Sequence, residues 1–192
     1  MERAIDMKVY SRKTKHEGYF QFQIVGTTAG LKELLRAKDS VSILLFNKES
    51  RHIVLVEQAR VAMIRDDNPD GLIIELVAGR CDKNMTPQEI AASEAWEEAG
   101  VTISPKRIEL LNFGIPMAVS AGSTDERAHL MFAEICNADM DWTKEVFGLA
   151  SENEVTRRIL VPINDLETYE CRDIRTFALI QYFLKRRALG NW

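Results

Sequence analysis

The segment Gly79–Val101 constrains this chain most, because it marks one short helix at both ends. Thr86 can cap that helix, Pro87 suits its first position, and Glu89 three residues after the cap completes a capping box. Gly100 follows the last periodic residue and suits the left-handed position that closes a helix. The expected helix is therefore Pro87–Ala99. Ile90, Ala91, Ala95 and Ala99 are small or apolar, so one side of it can pack closely. On the other side, at 100° per residue, Glu97 lies about 60° from Glu94 and Glu98 about 40° from it in the opposite sense. All three glutamates project from one arc of about 100°.

That placement is awkward without a partner. Like charges three and four apart cost a few tenths of a kcal/mol each. Carboxylates in the last turn also face the negative end of the helix dipole, at about 0.3–1 kcal/mol each. No lysine or arginine lies between Asn84 and Gly100 to offset them. A divalent cation would reverse the sign of every term, and clustered carboxylate oxygens suit Mg²⁺ or Mn²⁺. A solvated acidic face is the alternative that the three glutamates alone leave open.

Around this helix the chain alternates between strands and helices. Ser40–Phe46 and His52–Gln58 are β-rich and separated by a hairpin loop at Asn47–Arg51. Tyr19–Val25, Leu72–Ala78, Ile108–Gly114, Leu130–Ile135 and Val155–Val161 are further strand candidates. A second helix is expected over Ile174–Arg187, with Ile174, Phe177, Ile180 and Leu184 recurring at helical spacing. Strands interleaved with two helices predict an α/β protein, a mixed sheet covered on both faces as an α/β/α sandwich. A boundary is expected near Lys38, giving a small N-terminal β extension over residues 1–38 and the main domain over residues 39–192.

The whole chain has 192 residues, 46% hydrophobic and 28% charged, within the range of one globular domain with an appendage. Twenty-five basic residues against twenty-nine acidic ones give a net charge of −4, which argues against a nucleic-acid partner. No apolar run is long enough to span a bilayer and the N-terminus has no apolar signal region, so no membrane partner and a cytoplasmic location are expected. Cys81, Cys136 and Cys171 are odd in number and form no CxxC pair, as free thiols in a reducing compartment would. His16, His52 and His129 have no ligand spacing, Trp96 reads as a packing residue, and Arg157-Arg158 reads as a strand edge meeting water.

Gly79-Arg80-Cys81-Asp82-Lys83-Asn84-Met85 followed by Ser93-Glu94-Ala95-Trp96-Glu97-Glu98-Ala99-Gly100-Val101 resembles the motif of the Nudix hydrolases. Gly79, Glu94, Glu97, Glu98 and Gly100 are in register with it. Met85 stands where that motif has a Glu, and Ser93 where it has an Arg; in the family this pair belongs to one polar network, so both members are lost together here. The resemblance covers most of Asp39–Leu184 and is greatest to the branch acting on ADP-ribose and nucleoside-diphosphate sugars. Asp39–Phe46 and Glu94–Glu98 look most like UDP-glucose diphosphatases.

The resemblance implies a Nudix-type sandwich that hydrolyses a nucleoside diphosphate sugar of the ADP-ribose, UDP-glucose or GDP-mannose type with Mg²⁺ or Mn²⁺. It implies that Glu94, Glu98 and the Ala78 carbonyl hold metal, with Glu97 completing or orienting that shell. Val56–Arg60 resembles a strand ending in a substrate-contacting arginine, Arg60. Ser120–Arg127 resembles a loop near the terminal sugar, which implicates Gly122 and Glu126 in substrate binding. Gly148–Glu154 looks like a mobile loop that supplies Glu152 as general base and Glu154 toward the metals. In this branch the N-terminal segment often exchanges between subunits, which implies a homodimer. Met85 and Ser93 motivate the alternative of a catalytically weak or inactive nucleotide-sugar binder.

Overall fold

A computed structural model describes residues 6–82 and 84–190. The Glu152 side chain and the outermost residues of the two expected units, 1–5 and 191–192, lie outside the described residues. Three strands, β1 (Val9–Glu17), β2 (Gln21–Thr27) and β3 (Gly30–Arg36), form an antiparallel sheet of their own. The second sheet is built from β4 (Ser40–Asn47), β5 (His52–Ala59), β6 (Leu72–Glu75), β7 (Val77–Arg80), β8 (Glu109–Leu110), β9 (Met117–Ala118), β10 (Arg127–Ile135), β11 (Val146–Phe147) and β12 (Thr156–Pro162). Two α-helices, α1 (Pro87–Ala99) and α2 (Ile174–Ala188), complete the chain.

The main sheet runs β11-β12-β5-β4-β10-β8, with β10 parallel to β4 and the other pairs antiparallel. Alternation along each central strand divides the core in two. Ile43, Leu45, Val54, Val56, Met131 and Ala133 point to the face covered by Ile90, Ala91, Ala95 and Ala99 of α1. Leu44, Phe46, Ile53, Leu55 and Phe132 point to the face covered by Leu179, Ile180 and Phe183 of α2. A mixed sheet between two helical layers is the sandwich that the sequence predicts.

One departure shapes the site. Leu72–Ala78 is not one strand. β4 and β5 pair only from Leu45/Val54 to Asn47/His52 and then diverge. The chain at 72–80 fills the gap, first as β6 beside β5 and then as β7 beside β4. Leu76, at the switch, is buried and donates its N–H to Thr176 Oγ1 of α2 at 3.1 Å. An apolar run that changes partner midway carries no mark of the change in its own pattern.

Other expectations also shift. Only Glu109–Leu110 of the expected strand at 108–114 joins the sheet; Asn112–Gly114 forms a 3₁₀ turn with Asn112 and Phe113 at positive φ. The expected strand Tyr19–Val25 runs instead over Gln21–Thr27, with Tyr19 in the turn before it, and β3 follows where no strand was expected. The buried stripe of α2 is Thr176, Leu179, Ile180 and Phe183, whereas Ile174 and Phe177 are exposed. Thr176 can be buried because its hydroxyl accepts from Leu76 and donates to Asp173 Oδ1. Trp96 is half exposed, not a core residue. Among the described residues, no helix is long and apolar enough to cross a membrane.

Candidate active site

Helix α1 has the ends expected of it. Thr86 Oγ1 accepts from the Glu89 N–H, Glu89 accepts from the Thr86 N–H, and Gly100 is left-handed at φ 64°. Glu94, Glu97 and Glu98 all line one cleft, together with Tyr19, Ser40, Arg60, Ala78, Gly79, Arg80, Asp82, Glu126, Glu154 and Arg175. Of the residues singled out in the sequence, the structure therefore brings Arg60, Ala78, Glu94, Glu97, Glu98, Glu126 and Glu154 together. Gly122 is exposed on its loop and does not line the cleft. Glu152 sits in the 3₁₀ turn Ala150–Glu152 of the second acidic loop. Met85 is exposed and is not part of the cleft, so nothing in the lining replaces the missing motif glutamate at that position.

Glu98 is 1% exposed, and its Oε2 accepts the Ala78 N–H at 3.0 Å. Burial pushes its carboxyl well above the usual carboxylate range; Glu154 and Glu94 push the same way, while the Ala78 N–H and Arg60 oppose it. Glu94 lies against Gly79 so closely that a β-carbon there would meet its carboxylate oxygen at 2.2 Å. The motif glycine thus makes room for the glutamate. Ser93, where the resembled motif has an arginine, donates its hydroxyl to Glu97 Oε1 at 2.5 Å.

The second acidic loop hangs from the end of α1. Gly148 N–H donates to the Glu97 carbonyl at 2.9 Å, and Thr156 Oγ1 donates to the Glu98 carbonyl at 2.7 Å. Arg158, far from being a strand edge in water, is buried and donates to the carbonyls of Ala99, Asp141 and Lys144 at 2.8–3.0 Å. These donors satisfy the orphan carbonyls of the last helical turn. They also fix the loop carrying Glu154 in register with the glutamates of the same turn. Gly148, at φ 110°, could not carry a side chain, since a β-carbon would lie 2.3 Å from the Glu154 carbonyl oxygen.

Cations occupy the other walls. Arg60 donates to Glu75 Oε1 through Nε at 2.8 Å and Nη2 at 2.7 Å, and Glu75 is itself buried. Arg80 stacks over the Tyr19 ring at 3.8 Å, which brings the N-terminal sheet to the lip of the cleft. The Ser120–Arg127 loop is tied to that sheet through Leu35 N–H to the Ser123 carbonyl at 2.9 Å and an Arg36–Asp125 ion pair at 2.6 Å. Ser40 holds Glu126 at 2.8 Å. Sequence reading missed Tyr19, Ser40, Glu75, Arg80, Asp82 and Arg175. Arg80 and Asp82 lay within the quoted motif, but the motif gives roles only to its matching positions. His52 and His129 stand apart from the cleft, and the three cysteines are free thiols.

An all-oxygen donor set of buried and half-buried carboxylates suits a hard divalent cation in type and charge. As the side chains stand, no three His, Cys, Asp or Glu groups among the described residues converge on one metal position. The cleft thus brings six carboxylate side chains and three arginines into one lining, an arrangement able to take a polyanion together with its counter-cation.

Residues 36–180 match the NUDIX domain family. The chain belongs to that family. It is 29% identical to an ADP-ribose pyrophosphatase of Haemophilus influenzae, over 78% of this chain and 70% of the relative. It is 29% identical to a GDP-mannose pyrophosphatase of Cronobacter sakazakii over 95% and 97% of the two chains. The uridine diphosphate glucose pyrophosphatase NUDT14 of Mus musculus is 28% identical over 71% of each chain. The crystal structure of an ADP compounds hydrolase superposes with a TM-score of 0.70 at 14% identity, covering 100% of this chain and 98% of that one, and so shares the fold.

Proposed function

We propose that this NUDIX protein hydrolyses the diphosphate bond of a nucleoside diphosphate sugar, releasing a nucleoside monophosphate and a sugar phosphate. The observation that carries the reading is the cleft itself, where the buried Glu98 and its neighbouring carboxylates share one lining with Arg60, Arg80 and Arg175. The relatives named for ADP-ribose, GDP-mannose and UDP-glucose pyrophosphatase activity support the substrate class.

Glu94, Glu98 and the Ala78 carbonyl would hold Mg²⁺ or Mn²⁺, with Glu154 reaching the same ions. Bound there, the ions would neutralise the diphosphate and lower the barrier to attack on phosphorus. Glu97, held by Ser93, orients the carboxylate wall. Arg60, fixed by Glu75, holds a phosphate oxygen. Glu152 takes a proton from water as the water oxygen bonds to one phosphorus; the bridging P–O bond breaks, and its electron pair stays with the departing phosphate. Glu126 and the loop around Gly122 flank the terminal sugar.

Residues 1–38 form the element we assign to exchange in a homodimer. Supporting this, every residue of β1 is exposed, including Tyr10, and β3 carries the exposed Leu31. Three free thiols favour a reducing, cytoplasmic location, and we assign neither a nucleic-acid nor a membrane partner. A catalytically weak or inactive nucleotide-sugar binder is the second reading, favoured by Met85 outside the cleft and Ser93 in place of arginine.

The test is a panel of ADP-ribose, UDP-glucose and GDP-mannose at millimolar Mg²⁺ or Mn²⁺, with detection of the monophosphate. Metal-dependent release from at least one is expected. Binding without release would establish the second reading, and neither binding nor release would overturn both.

A further inference from the structure

The parallel register of β4 and β10 begins at Ser40 and Ala128. Upstream of both strands the chain keeps the same spacing of 88 residues, through side chains instead of ladder bonds. Asp39 accepts Arg127 Nε at 3.1 Å and Nη2 at 2.6 Å, and the Ala37 N–H donates to Asp125 Oδ1 at 2.9 Å. One step further back, the Leu35 N–H donates to the Ser123 carbonyl at 2.9 Å, and Leu35 bridges Thr124 in parallel. The connector between the two sheets is thus a template for loop residues 123–127. On the far side of Ser123 the loop is open, since a β-carbon on Gly122 would meet nothing within 4 Å.

Asp125 holds the centre of this seam. Its Oδ2 accepts Arg36 Nε at 2.6 Å while its Oδ1 takes the Ala37 N–H, so one carboxylate grips two consecutive connector residues. The ion pair is partly exposed on both sides and contributes little to stability, so its consequence is geometric. Its neighbour Glu126 lines the cleft, where Oε1 takes the hydroxyl of the buried Ser40 at 2.8 Å.

We propose that Asp125 is a positioning residue for recognition of the sugar end, hanging the 123–127 loop on the sheet connector and so setting the direction in which Glu126 enters the cleft. The assignment rests on the nucleoside diphosphate sugar reading, in which Glu126 flanks the terminal sugar. A carboxylate accepts from sugar hydroxyls, and it binds them best when its loop is ordered before the sugar arrives. Asp125 fixes the residue before Glu126, and Asp39 fixes the residue after it through Arg127. The nucleoside and the diphosphate lie outside this seam, so a ligand without the sugar does not sense it.

The experiment measures kcat and KM for the most active nucleotide sugar of the panel, and Ki for the matching nucleoside diphosphate, which lacks the sugar. It compares the wild type with Asp125→Ala and Asp125→Asn. The cost of ordering a freed loop at binding predicts that Asp125→Ala raises KM roughly fivefold or more, with kcat within about threefold and Ki within about twofold. Asp125→Asn keeps an acceptor for the Ala37 N–H and should recover part of the loss, and both variants should unfold within a few degrees of the wild type. An unchanged KM in Asp125→Ala would overturn the assignment. So would a Ki that rises in step with KM, an asparagine no better than alanine, or a loss explained by a falling thermal midpoint. For a wild type that binds the panel without release, dissociation constants take the place of KM and Ki, with the same outcomes. A wild type that neither binds nor hydrolyses any of the panel overturns the parent reading and this one with it, whereas a failure confined to the variants overturns the role of Asp125 alone.

Discussion

Glu98 lies in the last turn of α1 and Asp139 in a turn bonded to the chain just after that helix, and their surroundings treat the two carboxylates in opposite ways. Asp139 lies in the turn whose carbonyl receives the Thr102 N–H. It accepts both terminal nitrogens of Arg107 at 2.8 and 2.9 Å and the Cys136 N–H at 2.8 Å. Arg107, helped by the Cys136 N–H and by the Cys136 thiol at 3.3 Å, holds its carboxyl down at about 2 despite partial burial. Glu98 is more deeply buried, takes its hydrogen bond from a backbone N–H, and is pushed upward by burial and by Glu154 and Glu94. A carboxylate that serves the fold meets an arginine at short range. One surrounded by further carboxylates destabilises the fold unless a cation joins it, so the cleft is the place where this molecule awaits charge.

The largest test of that contrast is Glu98→Gln. Glutamine keeps an oxygen for the Ala78 N–H and removes the charge. Metal-dependent turnover should fall by about a thousandfold or more. Because the folded carboxyl titrates above its unfolded value, Glu98 withdraws stability as pH rises past the ordinary carboxylate range. The metal-free variant at pH 8 should therefore melt a few degrees above the wild type, read by calorimetry. A variant that keeps its turnover, or that melts well below the wild type, would break the comparison.

Arg158 reverses the case: a buried cation whose donors go to three carbonyls, at the negative end of α1. Arg158→Met keeps much of the volume beside the Trp142 and Phe147 rings but leaves those carbonyls unmet. A loss of about 3 kcal/mol is expected, roughly 6–12 °C in thermal midpoint for a chain of this size. Since Arg158 stacks on Phe147 just before the 148–154 loop and follows Thr156, which ties the far end of that loop to the helix, kcat should fall about tenfold while KM changes little. A variant of unchanged kcat would show that Glu154 is positioned by other contacts.

How much of this was legible in sequence depends on whether the signal is local. The bounds of α1 follow from Thr86, Pro87, Glu89 and Gly100, all within fifteen residues, and the structure has those bounds. The common side of Glu94, Glu97 and Glu98 follows from helical geometry alone. The break at Leu76 was not legible, because the divergence of β4 from β5 that causes it lies elsewhere in the chain. β3 was missed because nearly all of its residues are exposed, so no apolar alternation marks it. The buried face of α2 was misjudged because a threonine, satisfied from Leu76 and Asp173, took a place that periodicity assigned to apolar residues. Arg175 was missed for the same kind of reason, since only the fold puts it beside Glu75.

The smallest expected effect falls on the other half of the comparison, at Asp139. Asp139→Asn keeps the size of the side chain and one acceptor oxygen but removes the charge that Arg107 meets. Because Arg107 is partly exposed and water screens the pair, the loss at pH 7 should be about 1 kcal/mol, or roughly 2–4 °C. The sign with pH is fixed by the direction of the shift. The folded carboxyl titrates near 2 and the unfolded one near 3.8, so the stabilisation is complete above about pH 4–5 and disappears as pH falls from there through 2. Wild type and variant should therefore converge in thermal midpoint on acidification, with no change in turnover at neutral pH. Glu98→Gln should differ from it in sign and in function, exceeding the wild type by a margin that grows as pH rises because the wild type loses stability there, and losing turnover. If Asp139→Asn instead lowers turnover at neutral pH while remaining folded, the turn that receives the Thr102 N–H also tunes the carboxylates of α1, and the separation of structural from functional acids fails there.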